Sequence, residues 1–461
     1  MLIEQLYTNC LAEAAYYIES EGEAIIIDPI RETKPYLEKL KGRKAKLKYV
    51  FETHFHADFV SGHIDLARAT GAMIVFGPGA ETNYEVYNAR DGEEFKLGKI
   101  RMRVLHTPGH TPESSCYLLF DENGKENAIF TGDTLFVGDV GRPDLLDGTM
   151  TKEALASMMY DSLNNKIKVL PDHVTMYPAH GPGSACGKNI GKETWSTIGE
   201  QKKNNHALLY KDKASFVAAV TAGLAPPPQY FFKDAMINKN GYDDVEKVMK
   251  KNLKPLDAAT FAKEMKSGAF VLDTRPPDLF EKGFIAGAMN IGLNGQFAVW
   301  AGTLLDINTP LLLLTEKGKE EESVIRLARV GYENIKGYLE GGIEAWKNSG
   351  NKMDAVSSIT PEEFAKLVNA GNAAVLDVRR DGEFNNSCVR DAEHFSLDDL
   401  RNTFRSLDKK KTYLIHCAGG YRSMIAASIL KAQGFTNLVN VYGGFNKIKE
   451  TNAPIVVPVI A

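Results

Sequence analysis

The sequence predicts an α/β protein of several domains, with parallel sheets in its second half. Its 461 residues are too many for one hydrophobic core and suggest about three domains of ~150 residues each. From Lys254 onward the chain repeats itself, because Gly268–Arg275 returns 104 positions later as Asn372–Arg379. Each repeat opens with a helix-like stretch and then alternates apolar strand-like runs with amphipathic stretches, which is the pattern of a parallel α/β sheet.

Composition excludes some classes of function. The net charge is −4, and no long basic cluster or basic-aromatic interleaving is present, so we expect no nucleic-acid binding. We expect no membrane span either, because no apolar run approaches ~18 residues. Five cysteines without CxxC spacing make no disulfide framework, which fits a reducing compartment. We therefore expect a cytoplasmic protein. We also expect it to form a homo-oligomer.

Four short motifs in the first 180 residues contain residues that bind metals. Each motif follows an apolar, strand-like run, and His54 and His56 are two positions apart, so that an extended chain would aim both imidazoles to one side. Imidazole and carboxylate are ligands that first-row divalent metals prefer. A single histidine at such a place would more often be structural, but four linked motifs predict a metal site. They are THFHADF (53–59), TPGH (107–110), TGD (131–133) and YPAH (177–180).

In this order the motifs resemble the metallo-β-lactamase superfamily, over roughly the first 240 residues. The resemblance implies an αββα sandwich with these loops along one edge, around one or two metal ions. The dinuclear hydrolases of the superfamily, including the glyoxalase II thioesterases, read HxHxDH at the first motif. Here Phe59 stands in place of the final histidine, which weakens a second site and predicts a single metal.

The remaining set of His54, His110 and Asp133 resembles the iron site of the persulfide dioxygenase branch. Two histidines and one carboxylate leave open positions on Fe(II) for substrate and O₂. The resemblance implies one Fe(II) per chain, with zinc as a possible substitute.

Other residues of the same region would orient ligands, water or substrate. Three of them belong to the motifs, namely His56, Asp58 and His180. The stretch Gly138–Leu145 resembles a loop of the persulfide dioxygenase branch, and within it Arg142 is a candidate for a substrate or ligand-orienting contact. Cys186 lies in a loop of small residues that could reach the metal edge.

The second repeat contains a candidate nucleophile. A buried strand, Tyr413–His416, leads into the loop Cys417–Ser423, which resembles the active site of rhodanese sulfurtransferases. Loop amides at a helix N-terminus, together with Arg422, favour a thiolate or persulfide on Cys417, and Ser423 completes the catalytic set. Four residues separate the cysteine from the arginine, whereas Cys-based phosphatases have five, so this loop favours sulfur over phosphate.

The first repeat has no cysteine at the corresponding place. After the strand Leu311–Leu314 comes the charged stretch Thr315–Ser323. We read this repeat as an inactive rhodanese-like copy that serves as a spacer, packing partner or dimerisation surface. The predicted domains are 1–245 (metallo-β-lactamase-like), 253–350 (inactive rhodanese-like) and 356–461 (rhodanese), with a linker predicted over Asn238–Asn252.

The whole arrangement resembles bacterial persulfide dioxygenase-sulfurtransferases. It implies oxidation by O₂ of the persulfide of a small thiol, glutathione or similar, to sulfite, and transfer of sulfur through Cys417 that gives or uses thiosulfate. The alternative is a zinc-dependent, glyoxalase II-like thioester hydrolase with accessory rhodanese domains, against which Phe59 and Gly138–Leu145 count. A third reading is a sulfur relay to a protein partner with a structural metal, although structural zinc usually has four protein ligands.

Overall fold

The computed structural model describes residues 1–145, 150–371 and 374–458. The chain divides into two compact units. The first unit is Met1–Val248 with Ala328–Gly331, and the second is Met249–Leu327 with Tyr332–Ala461. Among the described residues, no helix has the length and apolar character needed to cross a membrane.

The first unit contains two mixed sheets. The first sheet has the strand order β1 to β6. Neighbouring strands pair antiparallel from β1 to β3 and parallel from β3 to β6. These strands are β1 Leu2–Thr8, β2 Glu13–Ser20, β3 Glu23–Ile27, β4 Lys46–Phe51, β5 Met73–Phe76 and β6 Tyr87–Asn88.

In the second sheet the strands β7 to β12 also follow one another in order, and β10 and β11 pair in parallel. They are β7 Glu94–Leu97, β8 Ile100–His106, β9 Ser115–Phe120, β10 Glu126–Gly132, β11 Thr175–Pro178 and β12 Ser196–Thr197. One apolar cluster, which includes Phe51 and Tyr117, joins side chains of both sheets, and another joins the second sheet to nearby helices. Strand β9 is buried along its whole length because it is covered on both faces. The predicted sandwich is confirmed.

The helices of the first unit are α1 Lys34–Arg43, α2 His63–Thr70, α3 Lys152–Ser162, α4 Ile198–Asn204, α5 Lys213–Thr221 and α6 Phe231–Asn240. Helix α7 Val245–Asn252 contains the boundary between the two units. A π-helical turn covers Leu163–Ile167 and a 3₁₀ turn covers His206–Leu209. The stretch Asn238–Asn252, predicted as a linker, is mostly helical, and the boundary between the two units falls within it, after Val248. Asn238 is 1% exposed because its amide group is hydrogen-bonded within the first unit.

Apart from Ala328–Gly331, both repeats lie in the second unit, and each has a five-stranded parallel sheet in the described residues. The first repeat comprises β13 Pro255–Leu256, α8 Ala258–Lys266, β14 Phe270–Asp273, α9 Pro277–Phe280, β15 Phe284–Ile285, β16 Met289–Asn290, α10 Phe297–Leu304, β17 Leu311–Leu314, α11 Glu320–Ala328, β18 Ile335–Leu339 and α12 Gly342–Asn348. Its sheet has the order β13-β18-β17-β14-β16. Strands β14, β16 and β17 are short and almost entirely buried, as is typical of a parallel sheet that is covered on both faces.

The second repeat has the same sheet order. Its elements, with the preceding short strand β19 Met353–Asp354, are β20 Ser357–Ile359, α13 Pro361–Asn369, β21 Ala374–Asp377, α14 Asp381–Asn386, β22 Cys388–Val389, β23 Glu393–His394, α15 Leu400–Thr403, β24 Tyr413–His416, α16 Tyr421–Ala432, β25 Leu438–Val441, α17 Gly444–Ile448 and β26 Ile455–Val456. A 3₁₀ turn covers Phe404–Ser406. Of the predicted repeat and third domain, Asn372, Ala373 and residues 459–461 lie outside the described residues.

Each repeat has a buried ion pair at the end of the corresponding strand, β14 in the first repeat and β21 in the second. Arg275 Nη2 donates to Asp273 Oδ2 at 2.5 Å after β14, and Arg379 Nη2 donates to Asp377 Oδ2 at 2.6 Å after β21. All four residues are almost completely buried. The sequence repeat therefore corresponds to a structural repeat, and the predicted parallel α/β fold of the second half is confirmed.

Candidate metal centre and sulfur site

The four histidine and aspartate motifs begin at or beyond the ends of β4, β8, β10 and β11. Because β10 and β11 are parallel neighbours, Asp133 and His180 emerge from the same end of the second sheet. The first motif follows β4. Its residues His54, His56 and Asp58 are buried, and so are Asp133 and His180. The structure thus brings side chains of four separate motifs to one place.

One set of three ligand atoms comes from His54, His110 and Asp133, all within 4.8 Å of one another. The Nε2 atoms of His54 and His110 lie 3.9 and 3.4 Å from Asp133 Oδ2. Within the described part of the chain, neither carboxylate oxygen of Asp133 has a hydrogen-bond partner, although the residue is 2% exposed. A buried carboxylate without donors requires a compensating cation, so this set fits a divalent metal.

Three of the four histidines are held by the ring nitrogen that faces away from this centre. In each case Nδ1 contacts an oxygen, which leaves Nε2 to face the metal position, and such contacts fix the orientation of a metal ligand. The oxygens are Thr53 Oγ1 for His54 at 2.9 Å, Arg142 O for His110 at 2.8 Å and Ala12 O for His180 at 3.1 Å.

A second set adjoins the first and consists of His56, Asp58 and His180, again with ligand atoms within 4.8 Å. His180 Nε2 lies 3.4 Å from Asp58 Oδ2 and 3.6 Å from Asp133 Oδ1. The ring of Phe59 packs against that of His56, with the centroids 4.3 Å apart. Phe59 therefore places an apolar ring beside the second set, where the dinuclear motif would supply an imidazole.

Burial and neighbouring charges act on these groups. Burial, with the nearby His56, lowers the pKa of His54 well below its usual value, which keeps the imidazole neutral, as metal binding requires. Burial raises the pKa of Asp58. Burial alone would lower the pKa of His180, but the carboxylates of Asp58 and Asp133 outweigh it and the pKa is raised.

Arg142 contacts the centre through its main chain. Its carbonyl oxygen is the partner of His110, whereas its guanidinium pairs with Asp144 at 2.6 and 2.8 Å and donates to the carbonyls of Ala185 and Ala225. The side chain proposed from the sequence as a substrate contact is thus bound by protein groups on several sides.

Cys186 lies at the same edge. Its sulfur is within 4.8 Å of ligand atoms of Asp133 and His180, and the residue is 1% exposed. Burial, reinforced by the charges of Asp58 and Asp133, raises the pKa of this thiol well above its usual value. Cys186 therefore lies beside two of the candidate metal ligands.

Two supporting residues were not found by sequence reasoning. Asp28, at the end of β3, accepts hydrogen bonds from Thr53 N at 2.7 Å and Thr53 Oγ1 at 2.8 Å. Asn238 in α6 donates to the carbonyls of His56 at 2.7 Å and Phe59 at 2.8 Å. In the sequence, Asp28 is recognisable only as the residue that follows an apolar strand. No local sequence pattern distinguishes Asn238.

The candidate sulfur site lies between β24 and α16. Cys417 is 1% exposed, the N–H of Gly420 donates to its sulfur at 3.1 Å, and Ser423 Oγ lies 3.6 Å from the sulfur. Ser423 is fixed in turn by a hydrogen bond to Asn440 Oδ1 at 2.8 Å. The amide of Gly420, at the start of α16, therefore faces the cysteine sulfur.

Arg422 is held by a carboxylate. Its Nη1 and Nη2 atoms donate to the two oxygens of Glu383 at 2.6 and 2.7 Å, in the two-armed geometry that makes Arg–carboxylate pairs strong. Glu383 lies on α14, so this pair ties the Cys417 loop to another element of the same repeat.

Family comparison agrees with this arrangement. The metallo-beta-lactamase superfamily matches residues 8–180, and the rhodanese-like domain family matches residues 257–349 and 360–451. The chain belongs to the metallo-β-lactamase superfamily, and its second half consists of two rhodanese-like domains in tandem.

The first part of the chain is similar both to persulfide dioxygenases and to hydroxyacylglutathione hydrolases. The mitochondrial persulfide dioxygenase of Bos taurus is 32% identical over 50% of this chain and 84% of its own length. A probable hydroxyacylglutathione hydrolase of Schizosaccharomyces pombe is 33% identical over 35% of this chain and 60% of its own length, so the chain spans less than two thirds of that relative. The crystal structure of a metallo-β-lactamase from Staphylococcus aureus matches with a TM-score of 0.67 and 31% identity, over 73% of this chain and 98% of that one.

Proposed function

We propose that the first domain is a non-haem Fe(II) persulfide dioxygenase with one iron per chain, and that the third domain is a thiosulfate sulfurtransferase. The observation that carries the first part is the set of His54, His110 and Asp133, in which two histidines and one unpartnered carboxylate converge while Phe59 occupies the final motif position. This donor set is typical of non-haem Fe(II) oxygenases.

The proposed oxidation consumes one persulfide, one O₂ and one water and gives the free thiol and sulfite: RSSH + O₂ + H₂O → RSH + HSO₃⁻ + H⁺. The terminal sulfur loses four electrons and O₂ accepts them. A bound Fe(II) would supply the open coordination positions that bring persulfide and O₂ together. His54, His110 and Asp133 would hold the iron, and His56, Asp58 and His180 would line the side on which substrate or water is oriented.

The proposed sulfur transfer uses Cys417 as the nucleophile. Its thiolate attacks the outer sulfur of thiosulfate, a bond forms between these two sulfurs, and the S–S bond of thiosulfate breaks to release sulfite. The result is a persulfide on Cys417, and the reverse reaction makes thiosulfate from sulfite. The Gly420 amide at 3.1 Å supports this role because it donates to the sulfur that carries the negative charge.

A second candidate is a two-zinc thioester hydrolase of the first domain. It is favoured by the second set of His56, Asp58 and His180 and by the likeness to the hydroxyacylglutathione hydrolase. The apolar ring of Phe59 beside His56 counts against it, because it removes a ligand that the dinuclear motif uses.

Two variants separate the proposed activities. We expect Asp133→Asn to abolish persulfide-dependent O₂ uptake and to leave thiosulfate sulfurtransfer intact, and Cys417→Ser to do the reverse. Cys388→Ser, which changes a buried cysteine elsewhere in the third domain, is the control and should retain both activities. Loss of thioester hydrolysis in Asp133→Asn, with no O₂ uptake by the wild type, would favour the hydrolase.

A further inference from the structure

The helix that begins at the Cys417 loop lies against the first rhodanese-like copy. At its first residue, Tyr421 Oη donates to the carbonyl oxygen of Gly292 at 2.7 Å. Further along, Ser428 Oγ accepts a hydrogen bond from the backbone N–H of Asn290 at 3.0 Å, and both of these residues are 0% exposed. Helix α16 is thus attached to the other copy at its N-terminal end and again two turns later.

The segment that accepts Tyr421 is itself fixed from within the first copy. Arg326 on α11 donates to the carbonyls of Leu293 at 2.6 Å and Gly295 at 3.2 Å, and Arg326 is only 6% exposed. The Tyr421 ring lies so close to Gly295 that a β-carbon there would be 2.5 Å from it. The Tyr421 hydroxyl therefore has a fixed hydrogen-bond acceptor, and the Tyr421 ring packs against a position where a larger residue than glycine would collide with it.

This contact bears directly on the nucleophile. Gly420, whose N–H donates to the Cys417 sulfur at 3.1 Å, immediately precedes Tyr421. The strength of such a hydrogen bond falls steeply with distance and angle, and the amide dipoles of a helix start act only over its first turn. A small displacement of Tyr421 would therefore weaken the donors that face the sulfur.

We propose that the cysteine-less copy fixes the start of the helix that activates Cys417, with Tyr421 as the positioning residue and Gly292–Gly295 as its seat. This inference rests on the proposed sulfurtransferase role of Cys417, and it assigns to the inactive copy a part in the active site of its neighbour. Tyr421 acts through the Gly420 amide and takes no part in bond formation.

The first test is Tyr421→Phe in the full-length chain, which removes the hydroxyl and keeps the ring. We expect the rate of Cys417 alkylation by iodoacetamide, followed on the Cys417 peptide by mass spectrometry, to fall at neutral pH and its pH profile to move upward. The kcat of thiosulfate-to-cyanide sulfurtransfer should fall about fivefold, the equivalent of ~1 kcal/mol for one hydrogen bond, with KM for thiosulfate changed less. Tyr413→Phe is the matched control, because the Tyr413 hydroxyl bonds to Asp408 N at 3.1 Å away from the first copy.

The second test changes only the first copy. Gly295→Ala should displace the Tyr421 ring and lower the alkylation rate and kcat at least as much as Tyr421→Phe. Wild-type alkylation profiles in both variants, or the same loss in Tyr413→Phe, would overturn the positioning role, as would a lowered Tm with unchanged reactivity. If the wild type transfers no sulfur, the proposed function fails, while the alkylation profiles still decide the positioning.

Discussion

The Nδ1 atom of His110 lies 2.8 Å from the main-chain oxygen of Arg142. The loop Gly138–Leu145 therefore supports the candidate metal centre through its backbone, and the route of the chain through this loop determines which way the imidazole points. Groups that orient a metal ligand in this way affect metal affinity strongly.

The role of this loop in orienting His110 can be tested with a substitution at Gly141. A β-carbon at Gly141 would lie 2.1 Å from the carbonyl oxygen of Asp133 and 2.9 Å from His110 Nδ1, so Gly141→Ala must displace one of the two predicted ligands. We expect metal affinity to fall at least about tenfold, measured by competition with a chelator. Gly42→Ala is the control: Gly42 lies in α1, where no described atom beyond its chain neighbours and its own helix backbone is within 4 Å of the added carbon, and the metal affinity of this variant should be unchanged. Equal affinities for the two variants would contradict the role of the loop.

Phe59 tests the number of metals. Phe59→His restores the final histidine of the HxHxDH motif beside His56, and we expect the bound metal to rise from one ion to two per chain, measured by elemental analysis after saturation with zinc. Phe55→His is the control, because Phe55 belongs to the same motif but packs against Phe76 at 4.9 Å between ring centroids. Two ions already bound by the wild type would show that Phe59 does not limit the site.

Asn238 tests the support of the first motif. Asn238→Ala removes two donors, to the carbonyls of His56 and Phe59, and the acceptor of Ser61 N at 2.9 Å. Because the backbone groups left behind are buried, we expect the free energy of unfolding to fall by about 3 kcal/mol. Urea denaturation of the metal-free protein measures it, and exposed Asn204→Ala in α4 should change little. A loss for Asn238→Ala no larger than that of Asn204→Ala would contradict this assignment.

The pair of Glu383 and Arg422 predicts a pH dependence. Burial would raise the pKa of Glu383, but the hydrogen bonds from Arg422 outweigh it and the pKa is lowered. The pair therefore stabilises the folded state above the unfolded-state pKa of about 4.3, and this contribution is lost as the pH falls through the lower folded-state value. We expect Glu383→Gln to be less stable than the wild type at neutral pH and the difference to shrink in acid, measured by urea denaturation. A difference that stays constant down to about pH 3 would contradict it.

Much of the site could be predicted because its signals are local. His54, His110, Asp133 and His180 each follow an apolar strand, and strand ends of one sheet edge lie together. Cys417 was recognisable for the same reason, since strand, loop and helix are consecutive in the chain.

Contacts between distant parts of the chain could not be predicted. Asn238 holds a loop about 180 positions earlier, and the polar stretch around it resembled a linker. Arg142 contacts His110 through its carbonyl oxygen. Because every residue has such an oxygen, the sequence could not indicate this contact, and the prediction was made for the arginine side chain instead. Tyr421 and Gly292 belong to different repeats, and only the packing of the repeats brings them together.

The proposed single-iron persulfide dioxygenase is tested most directly by metal analysis of anaerobically purified protein, combined with measurement of O₂ uptake when the persulfide of a small thiol is added. We predict close to one iron per chain and O₂ consumption that depends on the persulfide and produces sulfite. Two zinc ions per chain, hydrolysis of a glutathione thioester and no persulfide-dependent O₂ uptake would contradict the proposed dioxygenase activity. That result would establish a two-zinc thioester hydrolase instead.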